Sequence, residues 1–288
     1  MIVAVASGKG GTGKTTIAVN LAKSIDGEVD LVDCDVEEPN AHLFLRSNPI
    51  ESKEVTVPIP QVDESLCDGC GECSKFCEFH AIITPNTKPI VFPELCHGCG
   101  GCRLVCPRGA ISETQRRIGV IDISREDHIR LIQGRLDVGV AMAPPLVRAV
   151  RANSRDNVAT ILDAPPGTSC PVITTVRNSD FVLLVTEPTP FGLYDLELAV
   201  KMVAELEIPF GVIVNRHDLG DNRVHEFCRD NQIPILLEIP DDRRIAEAYS
   251  RGIAIVDALP EYEPVFQGLL EKVGELVHSK EGRSDANL

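Results

Sequence analysis

Gly8-Lys9-Gly10-Gly11-Thr12-Gly13-Lys14-Thr15-Thr16 stands between a short apolar run, Ile2-Val-Ala-Val-Ala6, and a segment with apolar residues at Ile17, Ala18, Leu21, Ala22 and Ile25. The run reads as a strand buried on both faces, and the spacing that follows it is helical. Strand, glycine-rich turn and helix in that order make a phosphate cradle. Successive backbone N–H groups can close on phosphate oxygens only where side chains do not block the approach. Gly8, Gly10, Gly11, Thr12, Gly13 and Thr16 belong to this cradle. Lys14 can reach the β- and γ-phosphates, and the Thr15 hydroxyl can serve Mg2+. The competing reading, a glycine turn with no ligand, leaves the lysine and the threonine pair without a reason to sit at the strand–helix switch.

Working outward, Val29–Val32 reads as the next buried strand, and apolar strands alternate with helical spacing again from about Gly119. Candidate strands are Leu136–Val140, Val158–Leu162, Phe181–Val185, Phe210–Val214 and Ile235–Ile239. Candidate helices include Leu146–Ala152, Leu193–Leu206, Arg223–Asp230, Arg243–Ser250 and Val265–Val277. This alternation predicts an α/β fold with a doubly wound, mostly parallel sheet. Residues 54–116 break it, being rich in Cys, Pro and Gly. The expected organisation is a discontinuous nucleotide-binding domain over 1–53 and 117–288, an inserted module over 54–116, and a polar tail from Ser279 to Leu288 that frays.

The 288 residues carry 28 basic and 43 acidic side chains, a formal charge of −15, which disfavours a nucleic-acid partner. Hydrophobic residues at 43% permit a sizeable core, whereas aromatics at 4% and no Trp argue against base- or sugar-stacking platforms. The start of the chain has no basic leader and no stretch reaches membrane-spanning length, so a cytoplasmic protein with reduced thiols is expected. In that setting clustered cysteines mean metal rather than a disulfide framework.

Eight of the eleven cysteines form a duplicated pattern. Cys67-x-x-Cys70-x-x-Cys73-x-x-x-Cys77 recurs 29 residues later as Cys96-x-x-Cys99-x-x-Cys102-x-x-x-Cys106-Pro107. The spacing resembles that of bacterial two-cluster ferredoxins, in which the fourth cysteine of each run crosses to the other cluster. The resemblance implies Cys67, Cys70, Cys73 and Cys106 for one [4Fe–4S] cluster and Cys77, Cys96, Cys99 and Cys102 for the second. Gly69, Gly71, Gly98, Gly100 and Gly101 would let backbone N–H groups approach the sulfides. Glu78 departs from the pattern by standing where proline is usual. Two structural zinc sites are the competing reading, because four cysteines also suit Zn2+. A three-plus-one run repeated twice fits cubanes better. Of the remaining cysteines, Cys34 and Cys228 read as packed thiols. Cys170 reads either as a helix-start thiol or as a sensor of nucleotide state.

The nucleotide motif resembles that of the MinD/ParA-type deviant Walker ATPases, relatives of the nitrogenase iron protein, and the closest likeness is to members carrying an inserted ferredoxin domain. The mark is the extra lysine, Lys9, which the resemblance implies reaches the phosphates of a neighbouring subunit in a homodimer, as an arginine finger does. It also implies that Asp35 orients the attacking water, that Asp33 lies near the magnesium waters and that Asp163 is the switch II aspartate beside Mg2+. Gly167 would offer its N–H to the γ-phosphate, and Asn215, Pro240 and Asp241 would hold adenine. Asn215-Arg-His-Asp218 imitates a guanine-recognition motif, with the Asp218 carboxylate as its physical basis, but ATP is favoured over GTP.

The leading expectation is a homodimeric Mg-ATP hydrolase coupling nucleotide state to iron–sulfur electron transfer or cofactor assembly with an unknown protein partner. The alternatives are a positioning ATPase on a surface, and amide ligation on a corrin-like substrate. The first needs an anchor, and the last helical segment is too acidic for anionic lipid. The second needs a glutaminase domain for which the chain has no spare length.

Overall fold

The computed structural model describes residues Met1–Ser284, and they separate into two compact units. The first comprises Met1–Ser52, Ile121–Arg135 and the described residues from Val147 on; the second comprises Lys53–Val120 and Leu136–Leu146. In chain order the elements are β1 (Ile2–Ala6), α1 (Lys14–Lys23), β2 (Val29–Asp33), β3 (Pro49–Val62), α2 (Glu72–Phe76), β4 (Ile82–Ile83), β5 (Ile90–Val91), α3 (Gly101–Leu104), β6 (Ile111–Glu126) and β7 (Ile129–Leu136). There follow α4 (Pro144–Arg151), β8 (Ala159–Asp163), α5 (Cys170–Val176), β9 (Phe181–Thr186), α6 (Pro190–Glu205), β10 (Phe210–Asn215), α7 (Arg223–Asp230), β11 (Ile235–Ile239), α8 (Arg243–Ser250), α9 (Ile255–Ala258) and α10 (Glu263–Ser284).

The large sheet runs β11-β10-β9-β1-β8-β2-β7-β6-β3. From β11 to β7 every pairing is parallel. Such strands need helical crossovers and are buried on both faces, which is why β1, β2, β8, β9 and β10 read as continuous apolar runs. Val3, Val5, Leu31, Ile161, Leu183 and Ile213 are buried in one core cluster with Ile17 and Leu21 of α1 and Phe266, Leu269 and Val273 of α10. The doubly wound, mostly parallel α/β sheet read from the alternation is therefore the observed fold.

Three differences have physical causes. The candidate strand Leu136–Val140 is not one: β7 ends at Leu136, and Val138 is fully exposed. Asp137 instead donates its N–H to the Ile118 carbonyl (2.9 Å), and its carboxylate accepts from the Arg117 guanidinium (3.0 Å), which ties 136–146 to the second unit. The long strands β3 and β6 escaped the periodicity because stretches such as Glu51-Ser-Lys-Glu54 and Ser112-Glu-Thr-Gln-Arg-Arg117 are polar on both faces. The two-residue turn Asp127–His128 between β6 and β7 suits only an antiparallel hairpin, with Asp127 in the left-handed region. Finally, the tail expected to fray from Ser279 is helical as far as Ser284, because intrahelical bonds continue past the last core contact; residues 285–288 lie outside the described residues. Phe266, Leu269 and Val273 of α10 sit in the core, so its apolar side packs on the sheet as expected.

Between the long strands β3 and β6, the second unit is built from short pieces. Helices α2 and α3 have five and four residues, and β4 and β5 form a two-residue antiparallel pair. Its core cluster is Cys73, Ile82 and Ile111, with Val62, Val91, Cys77, Cys102 and Cys106 packed against it.

Candidate functional site

In parallel sheets ligands bind beyond the carboxyl ends of the strands, where the winding reverses. Here those ends carry the site. β1 runs into the glycine loop, β2 ends at Asp33, β8 at Asp163 and β10 at Asn215, with Pro240 just beyond β11. The register sets Val5 opposite Asp163 and Asp33 opposite Asp163 on adjacent strands. A cleft of about 450 Å3 opens there, lined by Gly10, Gly11, Gly13, Lys14, Thr15, Thr16, Asp35 and Asn40 at one end and by Asn215, Arg216, Pro240, Asp241, Ile245 and Tyr249 at the other.

Gly11 and Gly13 occupy the left-handed region that glycine adopts without strain, and Gly13 forms the N-cap of α1, where a Cβ would lie 2.6 Å from the Asn215 side-chain amide. Gly8 answers to a different constraint. A Cβ there would lie 2.1 Å from the Asp195 backbone carbonyl, so the residue allows α6 to pack against the loop. Asn215 donates to the Thr12 carbonyl (2.8 Å), tying the end of β10 to the glycine loop.

The electrostatics favour a cation. Both Asp163 oxygens are buried and neither makes a hydrogen bond of good geometry, although the Thr15 hydroxyl lies close enough to favour the charged carboxylate; Thr12 Oγ1 and Asn40 Oδ1 are likewise buried without a partner. Burial raises Asp163 well above the usual carboxylate range, Asp33 raises it further, and Thr15 and Lys14 pull it back. Lys14 is itself buried, and this lowers its affinity for a proton against the pull of Asp163 and Asp35. Burial raises Asp35 too, partly offset by the Glu38 backbone and Lys14. Orphaned carboxylate oxygens beside a hydroxyl, with carboxylates outnumbering the lysine, fit Mg2+, which Thr15 and Asp163 would hold with its waters.

Asp33 has a structural task alongside. Its carboxylate accepts N–H bonds from Asp35 (3.1 Å), Asn40 (2.9 Å) and Ala41 (3.0 Å), shaping the loop that carries Asp35. Burial pushes it up to about 7 despite those bonds. Gly167 differs from its reading: its N–H donates to the Ser7 carbonyl at 3.1 Å and is committed within the chain. Asp218 is absent from the cleft lining, and one oxygen of its carboxylate accepts the Asp241 N–H at 2.7 Å, so nothing in the cleft supports guanine recognition by it.

Lys9 also has an unexpected neighbour. Its ammonium lies 3.2 Å from the Glu187 carboxylate, whose other oxygen holds Arg216 at 3.0 Å. Glu187 just past β9, Arg216 and the aromatic wall at Tyr249 escaped the sequence reading. Arg216 at least follows Asn215 at the end of β10, whereas Glu187, past a strand end with no site residue, and Tyr249, inside α8, carry no sequence signal.

The cysteines gather into two sets. Cys67, Cys70, Cys73 and Cys106 line one cavity, and Cys77, Cys96, Cys99 and Cys102 line another. All are free thiols. Among the described residues no three His, Cys, Asp or Glu side chains converge as a single ion requires. The Gly98 N–H donates to Cys96 Sγ and the Ala110 N–H to Cys106 Sγ, both at 3.4 Å. Backbone donors aimed at sulfur, and thiols spread around a cavity, fit a cubane whose irons each take one thiolate. Gly101 also leaves room for packing, since a Cβ there would meet the Phe76 ring at 1.9 Å. Cys34 and Cys228 are buried, with burial pushing both thiols up, as packed residues should be. Cys170 is exposed at the start of α5 and lines neither cavity.

Fold and site together define a P-loop nucleotide-binding protein of the MinD/ParA type. Residues 3–255 match the family model described as the CobQ/CobB/MinD/ParA nucleotide binding domain, and the chain belongs to that family. It is 33% identical over 258 residues to an uncharacterized protein of Methanocaldococcus jannaschii, covering 88% of this chain and 90% of that one. It is 28% identical over 302 residues to a Pyrococcus horikoshii protein named iron-sulfur cluster carrier protein, covering 98% and 88%. Among solved structures, the septum site-determining protein MinD of P. horikoshii complexed with Mg-ADP aligns with a TM-score of 0.60 at 20% identity, covering 94% and 95%, a likeness of fold. No helix among the described residues is long and apolar enough to cross a membrane.

Proposed function

We propose that this chain is a cytosolic, homodimeric Mg-ATP hydrolase whose nucleotide state governs iron–sulfur chemistry, either electron transfer or the building of a metal cofactor, with a protein partner. The observation that carries the reading is the coexistence, in one chain, of an orphaned buried carboxylate beside a phosphate loop and two cavities each lined by four thiols. The relative named for carrying iron–sulfur clusters supports the same direction.

In this reading the loop amides and Lys14 bind the triphosphate, Thr15 and Asp163 hold Mg2+, and Asp35 orients water. Asn215, Pro240 and Asp241 seat adenine. Lys9 leaves Glu187 to reach the phosphates of a second copy. Cys67, Cys70, Cys73 and Cys106 hold one [4Fe–4S] cluster, which supplies one-electron chemistry when bound, and Cys77, Cys96, Cys99 and Cys102 hold the other. A surface-positioning role has less support, since the apolar side of α10, the candidate anchor, lies in the core.

Anaerobic purification with iron and sulfide counts, then electron paramagnetic resonance with ADP and with ATP, tests the reading. Two cubanes with a nucleotide-dependent signal are expected; colourless or zinc-bearing protein would overturn it. For the dimer, Lys9→Ala should abolish most ATP hydrolysis, and undiminished turnover would count against trans action.

A further inference from the structure

The 29-residue duplication aligns more than the cysteines. Asp68, inside the Cys67–Cys70 turn, corresponds to His97 inside the Cys96–Cys99 turn, and Phe79, two residues past Cys77, corresponds to Arg108, two past Cys106. The fourth cysteine of each run lies with the other run's turn, so these four positions meet in pairs, one pair at each cavity. At the first cavity Arg108 Nε meets Asp68 Oδ2 at 2.7 Å. At the second, the Phe79 and His97 rings stack with centroids 3.4 Å apart and planes 11° from parallel. Each pair joins the three-cysteine turn to the segment that delivers the fourth cysteine.

We infer that Asp68–Arg108 and Phe79–His97 are equivalent clasps, positioning residues that each hold one four-cysteine set closed, and that their different chemistry makes the two sites differ in how they release iron. The inference rests on the cluster reading above. An ion pair with side chains 61% and 40% exposed is weakened by salt, so the first site opens more readily at high ionic strength. A ring stack depends on apolar contact and geometry and does not weaken in that way. One duplicated scaffold thus carries one salt-sensitive and one salt-insensitive site.

The test uses anaerobic holoprotein challenged with a ferrous chelator and iodoacetamide, the alkylated cysteines being identified by mass spectrometry at low salt and at about 1 M salt. Raising the salt should speed labelling of Cys67, Cys70, Cys73 and Cys106 by about two- to fivefold and leave the other set unchanged. Arg108→Gln should produce the same acceleration at low salt and erase the salt response, whereas Arg108→Lys should retain part of it. Phe79→Ala should speed only Cys77, Cys96, Cys99 and Cys102, by about two- to tenfold. In each experiment the set whose clasp is untouched serves as the internal control for the other. Equal salt responses in both sets of the unmodified protein would overturn the clasps while leaving the clusters standing. Protein that holds no iron and labels all eight thiols together would overturn the cluster reading and the clasps with it.

Discussion

Val3, Val5, Leu31, Ile161 and Leu183 are buried in the nucleotide-binding unit in one large cluster, whereas around the thiols of the cysteine-rich unit the core cluster is Cys73, Ile82 and Ile111 with further cysteines packed against it, beside other buried residues such as Ile118 and Leu146. The first unit holds its site on parallel strands whose burial is independent of any ligand. The second uses the prospective ligands themselves as core, which is how small modules compensate for too little apolar surface. The lesson is that loss of ligand should affect the two units very differently.

The largest effect expected follows directly. Chelating the iron anaerobically should lower amide-exchange protection in α2, α3, β4 and β5 by about a thousandfold, with β1, β8 and β9 unchanged. Protection that survives in the second unit would break the contrast. Next, Asp163→Asn should reduce ATP hydrolysis by about a hundred- to a thousandfold while the iron count per chain stays constant, since it removes charge at the cation and touches neither cysteine set. Iron loss in that variant would show that the units depend on one another for their ligands.

A matched pair of glycine substitutions sharpens the comparison at smaller cost. Gly8→Ala drives a methyl onto the Asp195 carbonyl and Gly101→Ala drives one onto the Phe76 ring. Each should destabilise its own unit by about 1–3 kcal/mol, visible as weaker nucleotide binding in the first and lower iron occupancy in the second, without crossover. The smallest effect is expected at Glu187. Glu187→Gln weakens the hold on Lys9 and Arg216 and should tighten ATP-dependent dimerisation by about two- to fivefold in sedimentation velocity. An unchanged dimer constant would make the pair incidental.

Much of this was legible without coordinates where local chemistry repeats a demand. Bounds such as Ile2–Ala6, Arg223–Asp230 and Arg243–Ser250 coincide with the observed β1, α7 and α8 because their apolar spacing is uninterrupted. β3 and β6 were not legible, since strands with polar residues on both faces carry no period. Glu187 was equally silent, a single carboxylate whose partners are far away in sequence.

The sequence by itself determined the kind of site at each strand end and the spacing of the thiols, because a phosphate loop and a duplicated cysteine run state their ligand chemistry within a dozen residues. Only the tertiary structure decided which groups are still free to use it. Gly8 serves α6, the Gly167 N–H is taken by Ser7, Asp218 caps Asp241, and Asp163 alone among the strand-end aspartates is left buried with neither oxygen in a hydrogen bond of good geometry. Hydrogen bonds and burial are satisfied by neighbours in space, and the sequence names a donor or an acceptor without saying what it will meet.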